Sequence, residues 1–169
     1  MGLDMYLSVR EYVNRHDYKA GWDNKTVRPE WEQVIKAAEI EEFLPEDTIY
    51  GANVSAVTAY WRKANAIHQW FVDNVQEGDD DCKEYYVSPE QLQALVDVCK
   101  DVLAHKEDTA YCEELLPPQS GFFFGATEID DWYFEDIEYT AKRLDEVLAL
   151  YRKKAAANEY VDFTYQSSW

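Results

Sequence analysis

The residues best equipped for chemistry crowd into one stretch, Tyr60 to Val75, which holds Tyr60, Trp61, Arg62, Lys63, Asn65, His68 and Trp70. A guanidinium and an amide can hold phosphate or carboxylate oxygens, and neighbouring aromatic faces can stack on a base. His68, one of three histidines, is the acid–base candidate of the group. A second group is Ser120 with Phe122, Phe123 and Phe124, bracketed by Gly121 and Gly125. Glycine lets a backbone turn sharply or approach a ligand closely, and the phenylalanines offer flat apolar walls. Trp169 at the carboxy terminus completes the set of ligand-binding candidates. Each group also has a plainer role. A histidine on an apolar face is ordinarily packed and hydrogen-bonded. Arg62, Lys63 and Asn65 suit a solvated face paired with nearby acids. The phenylalanine run suits a buried strand equally well.

Several chemistries find no support. The chain has no Walker loop, GxGxxG or HExxH, whose spacings mark phosphate, dinucleotide and zinc sites. Ser120-Gly121 is not a GxSxG elbow. Asp79-Asp80-Asp81 lacks the alternating ligands and distal Glu of an EF-hand. Glu128, Asp130, Asp131, Glu135 and Asp136 offer paired carboxylates, but acids at a helix start are ordinary caps and dipole partners. Cys82, Cys99 and Cys112 are odd in number and lack metal-ligand spacing, so unpaired thiols and no zinc are expected. No cofactor and no catalytic residue set are expected.

The 169 residues suffice for one well-buried core, so a single domain over 1–169 is expected. Aromatic residues make up 15%, ample material to bury. Acids outnumber bases 34 to 16, a net charge of −18. That excess disfavours nucleic acid or an anionic membrane as a partner and permits a protein with a basic surface. No apolar run approaches the ~18 residues of a membrane span, and the amino terminus lacks the basic region of a signal peptide.

The elements that must position these groups read as α+β: three main helices packed on a small sheet that includes the amino- and carboxy-terminal strands. Residues 1–9 alternate through Leu3, Met5 and Leu7, and Val161, Phe163 and Tyr165 alternate likewise. The two termini could pair with each other. Residues 10–28 read as a loop or hairpin, the most basic part of the chain, and Pro29 opens a helix to about Ile40. A short strand over 49–54 precedes the central helix, which Ser55 caps. At 100° per residue, Val57, Tyr60, Trp61, Ala64, Ile67, His68, Phe71 and Val75 form its buried stripe. Arg62 then lies opposite the stripe. Lys63 is a further 100° round, beside Trp70, and does not serve the same site equally. Ser88-Pro89-Glu90-Gln91 is a capping box that starts a helix to about Ala104. Asp130 or Asp131 opens the last helix, with Tyr133, Ile137, Ala141, Leu144, Leu148 and Tyr151 as its stripe. No Lys or Arg occurs from Glu107 to Ala141.

The segments MGLDMYL, YWRKANAIHQWFVDNVQEGDDDCKEYYVS, ELLPPQSGFFFGATEIDDWY and YQSSW resemble a family of small acidic proteins encoded by bacteriophages and prophages, without assigned function. The resemblance covers a little under half the chain. It implies an accessory protein made in the cytoplasm of the infected bacterium and carries over no catalytic residue. Two functions are then in contention. One is a non-enzymatic, anti-defence binding protein that captures a small anionic, base-containing ligand such as a nucleotide signal. The other is an acidic inhibitor or DNA mimic that covers a basic surface of a host protein. An enzyme acting on a nucleotide ranks third.

Overall fold

The computed structural model describes residues 2–169, so Met1 of the expected first strand lies outside the described residues. The fold is α+β, with four antiparallel strands and five α-helices among the described residues. Strands β1 (Asp4–Val13), β2 (Ala52–Arg62), β3 (Tyr85–Val87) and β4 (Asp162–Ser168) lie in the order β2-β1-β4-β3. The terminal strands are therefore neighbours, as their alternation suggested. Leu3, Met5 and Leu7 are buried with Phe163 and Tyr165. At the sheet edge, Tyr85, Tyr86 and Val87 stand opposite Tyr165, Thr164 and Phe163.

The helices are α1 (Pro29–Ala37), α2 (Asn65–Asn74), α3 (Pro89–Ala104), α4 (Thr109–Leu115) and α5 (Asp131–Ala156). The helices expected from the Ser88 capping box and the Asp130 cap form as read, whereas Ser55, expected to cap the central helix, lies within β2. Ser88 accepts from the Gln91 amide at 3.1 Å and the Gln91 side chain accepts from the Ser88 amide at 2.9 Å. The carboxylate of Asp130 accepts from the Tyr133 amide at 3.1 Å. On α5, Tyr133, Ile137, Ala141, Leu144 and Leu148 are buried, and Leu92, Leu95, Val96, Cys99 and Val102 of α3 are buried with them.

Two expectations are corrected. The first is the helix number. Seven-residue α4, capped by Asp108, was missed because so short a segment shows barely two turns of periodicity. The second concerns the centre of the chain. Residues 52–62 are strand rather than helix, so Tyr60, Trp61 and Arg62 sit on β2, and α2 begins only at Asn65. Ala59 and Trp61 point inward while Tyr60 and Arg62 are exposed, the period of two that a half-buried strand demands. Val54, Val57, Thr58, Tyr60 and Trp61 are β-branched or aromatic residues that fit a pleated surface. Helix α2 has no single stripe, because Asn65, Ala66, Ile67, His68, Trp70, Phe71 and Val72 are all buried. A helix surrounded by protein erases the amphipathic signal.

The chain forms two compact units: residues up to Val9 with Ala56–Trp169, and Arg10–Ser55. In the second, β1 runs on through residues 10–13 and an antiparallel bridge between His16 and Val27 closes the rest of the segment expected to be a loop or hairpin. Trp31 and Ile35 of α1 are buried, and the Arg15 guanidinium lies 5.0 Å from the centre of the Trp31 ring. Among the described residues, no helix is long and apolar enough to cross a membrane.

Trp61 is a structural residue. Its indole is buried, its Nε1 donates to Thr140 Oγ1 at 2.8 Å, and its ring meets Phe71 and Tyr139. Trp61→Ala is expected to cost about 3–5 kcal/mol of stability, measurable as a lowered urea midpoint.

Candidate functional site

Between β2 and α2 the chain must turn from a sheet edge into a buried helix within two residues, Lys63 and Ala64. Lys63 achieves this with φ of +61°, a left-handed conformation that a side chain adopts only at a cost. Its amide donates to the Leu3 carbonyl at 2.8 Å, tying the corner to the start of β1. The following Asn65 is buried, and its amide is fully used. Nδ2 donates to the carbonyls of Phe124 at 3.1 Å and Ala126 at 2.7 Å, and Oδ1 accepts from the Gln119 amide at 3.1 Å. One side chain thereby holds the loop between α4 and α5 against the corner.

That loop contains the glycine-bracketed run, which is a turn and not a strand or a flat wall. The Phe124 amide donates to the Gly121 carbonyl at 3.1 Å. The Phe124 ring folds back so closely that a Cβ at Gly121 would lie 2.7 Å from it. Gly125 has φ of +93°, and a Cβ there would lie 3.3 Å from Cβ of Lys63. Phe124 is buried, Phe123 half-buried and Phe122 96% exposed, so the three rings do not form one surface.

A cleft of about 310 Å³ opens at this corner. Arg62, Lys63 and the first residues of α2 form one wall. Ala126, Glu128, Asp130, Trp132, Tyr133 and Asp136, from the loop and the start of α5, form the other. Arg62 and Lys63 both line it, contrary to their expected separation, because a strand end followed by a left-handed residue sets directions that helical geometry does not. Neither cation has an ion-pair partner among the described residues. Helix α2 has Ala64 at its N-cap and no capping side chain, which leaves first-turn amide groups at the end where the helix dipole attracts anions. Trp132 is 74% exposed beside these groups. Burial, reinforced by Glu135 and Asp130, pushes the Asp136 carboxyl up to about 6.

The remaining sequence candidates lie elsewhere. His68 is fully buried. Its Nδ1 lies 2.7 Å from the Tyr165 hydroxyl and its Nε2 lies 3.1 Å from Asp80 Oδ1. A carboxylate only accepts, so Nε2 carries the proton and Nδ1 accepts from Tyr165. Burial lowers the His68 pKa against the opposing pull of Asp80 and raises that of Tyr165. This is a satisfied network in which His68 and Tyr165 are fully buried and Asp80 and Trp169 lie at the surface. Trp169 closes it, with Nε1 donating to Asp80 Oδ1 at 3.2 Å and its ring against Phe124. Trp70 is buried against Phe71. The exposed Tyr60 hydroxyl bonds the Asp4 carboxylate, and Ser120 is exposed. Of the sequence-derived set, the cleft brings together Arg62, Lys63 and Asn65. It adds Trp132 and Asp136, which the α5 stripe could have flagged as neighbours on the flank of Tyr133 and Ile137. Among the described residues, no group of three or more His, Cys, Asp or Glu is placed to hold a metal, and Cys82, Cys99 and Cys112 are unpaired.

Compared with family models, curated proteins and solved structures, the chain shows no match.

Two consequences are measurable. Asn65→Ala removes three hydrogen bonds to the loop, so a loss of about 2–3 kcal/mol is expected, with faster proteolysis over residues 117–128. Asp136 behaves oppositely. Its folded-state pKa is raised, so the stability tied to its protonated form is full below the ordinary value of 3.8 and is lost as pH climbs through about 6. Asp136→Asn is therefore expected to stabilise the fold at pH 7 by about 1 kcal/mol, allowing for solvent screening. It should also flatten the stability profile between pH 4 and 6, as thermal melts across that range would report.

Proposed function

We propose that the chain is a non-enzymatic binding protein that captures a small anionic, base-containing ligand, a nucleotide being the natural example, as an accessory protein of a phage in its bacterial host. The observation that carries this reading is the cleft wall formed by Arg62, Lys63 and the start of α2, where two cations without ion-pair partners among the described residues meet a helix end that has no capping side chain. Both features attract anionic oxygens, and a guanidinium can hold two of them at once. The exposed Trp132 indole supplies a stacking face within the same cleft. A volume of about 310 Å³ falls in the range of small-molecule sites. The fully buried His68 leaves the cleft without its expected acid–base group, which favours capture over turnover.

A second reading, an acidic inhibitor of a host protein, is favoured by a different observation. The base-free segment exposes Glu113, Glu114, Glu128, Asp130, Asp131 and Glu135, and such a surface suits a basic partner.

Calorimetric titration against linear and cyclic nucleotides separates the two. Arg62 is exposed and has no ion-pair partner among the described residues, and a charge-assisted contact contributes ~1.5–3 kcal/mol. Arg62→Ala is expected to weaken binding about tenfold or more with an almost unchanged melting temperature. If no nucleotide binds, the inhibitor reading takes its place.

A further inference from the structure

We infer that the cleft selects guanine, holding the phosphate at Arg62 and Lys63 and the Watson–Crick edge of the base at the Asp136 carboxylate. This rests on the nucleotide-binding reading above and sharpens it to one base. The starting observation is that opposite charges share the cleft without pairing. Arg62, Lys63, Glu128 and Asp136 all line it, yet no ion pair joins any of them. The Asp136 carboxyl has no hydrogen-bond partner among the described residues. Long side chains of opposite sign that could reach one another would gain by pairing. Held apart, they leave a cationic end and a carboxylate end. A plain anion satisfies the first and is repelled by the second. The fitting ligand is anionic at one end and a hydrogen-bond donor at the other.

The start of α5 specifies the donor end further. Trp132 and Asp136 are four residues apart on one helix and therefore lie one above the other on the same face. A planar base stacked on the Trp132 indole turns its edge along the helix toward Asp136. An ionised carboxylate offers two acceptor oxygens and no donor. Guanine presents the adjacent donors N1–H and the 2-amino group, which match both oxygens. Adenine presents its 6-amino donor next to the N1 acceptor, and that acceptor would face carboxylate lone pairs. Sites built around such donors reject analogues that lack them, because a buried polar group is then left unpaired. The partly desolvated state of Asp136, with its raised pKa, makes two incoming donors more valuable than they would be in water.

The experiment is calorimetric titration of the full chain with GMP, IMP and AMP at neutral pH. GMP is expected to bind about tenfold or more tightly than AMP, the discrimination typical of a two-point contact to a base edge. IMP, with N1–H but no 2-amino group, should fall between them. Asp136→Asn, nearly isosteric and relieved of an unfavourable charge, keeps the fold while replacing one acceptor with a donor. It should weaken GMP about tenfold and strengthen AMP, whose adjacent donor and acceptor match a carboxamide, whereas Arg62→Ala should weaken all three ligands. Equal affinity for GMP and AMP, or a guanine preference that survives Asp136→Asn, would overturn the base assignment and leave the nucleotide reading standing. Absence of binding by all three nucleotides would overturn both.

Discussion

The side chain of Asn65 sets the geometry on which the candidate site depends. A loop of this length with two prolines and three phenylalanines has no ladder of its own to satisfy its backbone, and unpaired buried peptide groups are costly. Asn65 offers two donors and an acceptor from a single buried position and spends them on the carbonyls of Phe124 and Ala126 and the amide of Gln119. With the loop fixed there, Gly125 can approach Lys63 closely, and Glu128, Asp130 and the start of α5 are brought opposite Arg62. The cleft is the gap left between a tethered loop and a corner that cannot relax.

A second constraint lies behind α2. The stacked pair Phe71 and Tyr165, 3.9 Å apart and nearly parallel, joins helix to sheet, and the chain from Tyr165 through His68 and Asp80 to Trp169 is hydrogen-bonded throughout. Buried polar groups are costly unless every member finds a partner, and a satisfied network specifies one arrangement of the elements it joins. The imidazole of His68 and the hydroxyl-bearing ring of Tyr165 are fully buried within it, with Asp80 and Trp169 covering them at the surface. The effect of the network is to lock α2, β4 and the acidic turn together, and so to hold the helix start that forms one wall of the cleft.

Charge is distributed to the same end. The net −18 would repel an anionic ligand at most of the surface. Arg62 and Lys63 are therefore a local exception, and their lack of ion-pair partners matters more than their number. The opposing wall carries the acids Glu128, Asp130 and Asp136, so charges of both signs line the same cleft.

How much of this was legible in the sequence follows from the range over which each signal acts. The capping box at Ser88, the Asp130 cap, the stripe of α5 and the alternation of the two termini are local patterns. Each names its own element, and each formed where read. The capacity of Arg62, Lys63 and Asn65 to hold anionic oxygens was legible in their types, and the acid excess in a count. The tertiary structure alone decided the rest. Residues 52–62 carry both a helical and an alternating pattern, and pairing of β2 beside β1 selected the strand. His68 and Trp70 lie in the core because other elements cover the faces of α2 that carry them, while Asp73 and Asn74 remain exposed. Trp132 and Asp136 entered the cleft because three hydrogen bonds from Asn65 fold a distant loop onto the corner. Local periodicity states which face of a segment is buried, whereas the partner that covers it comes from residues far along the chain, and those contacts determine which charges remain unpaired.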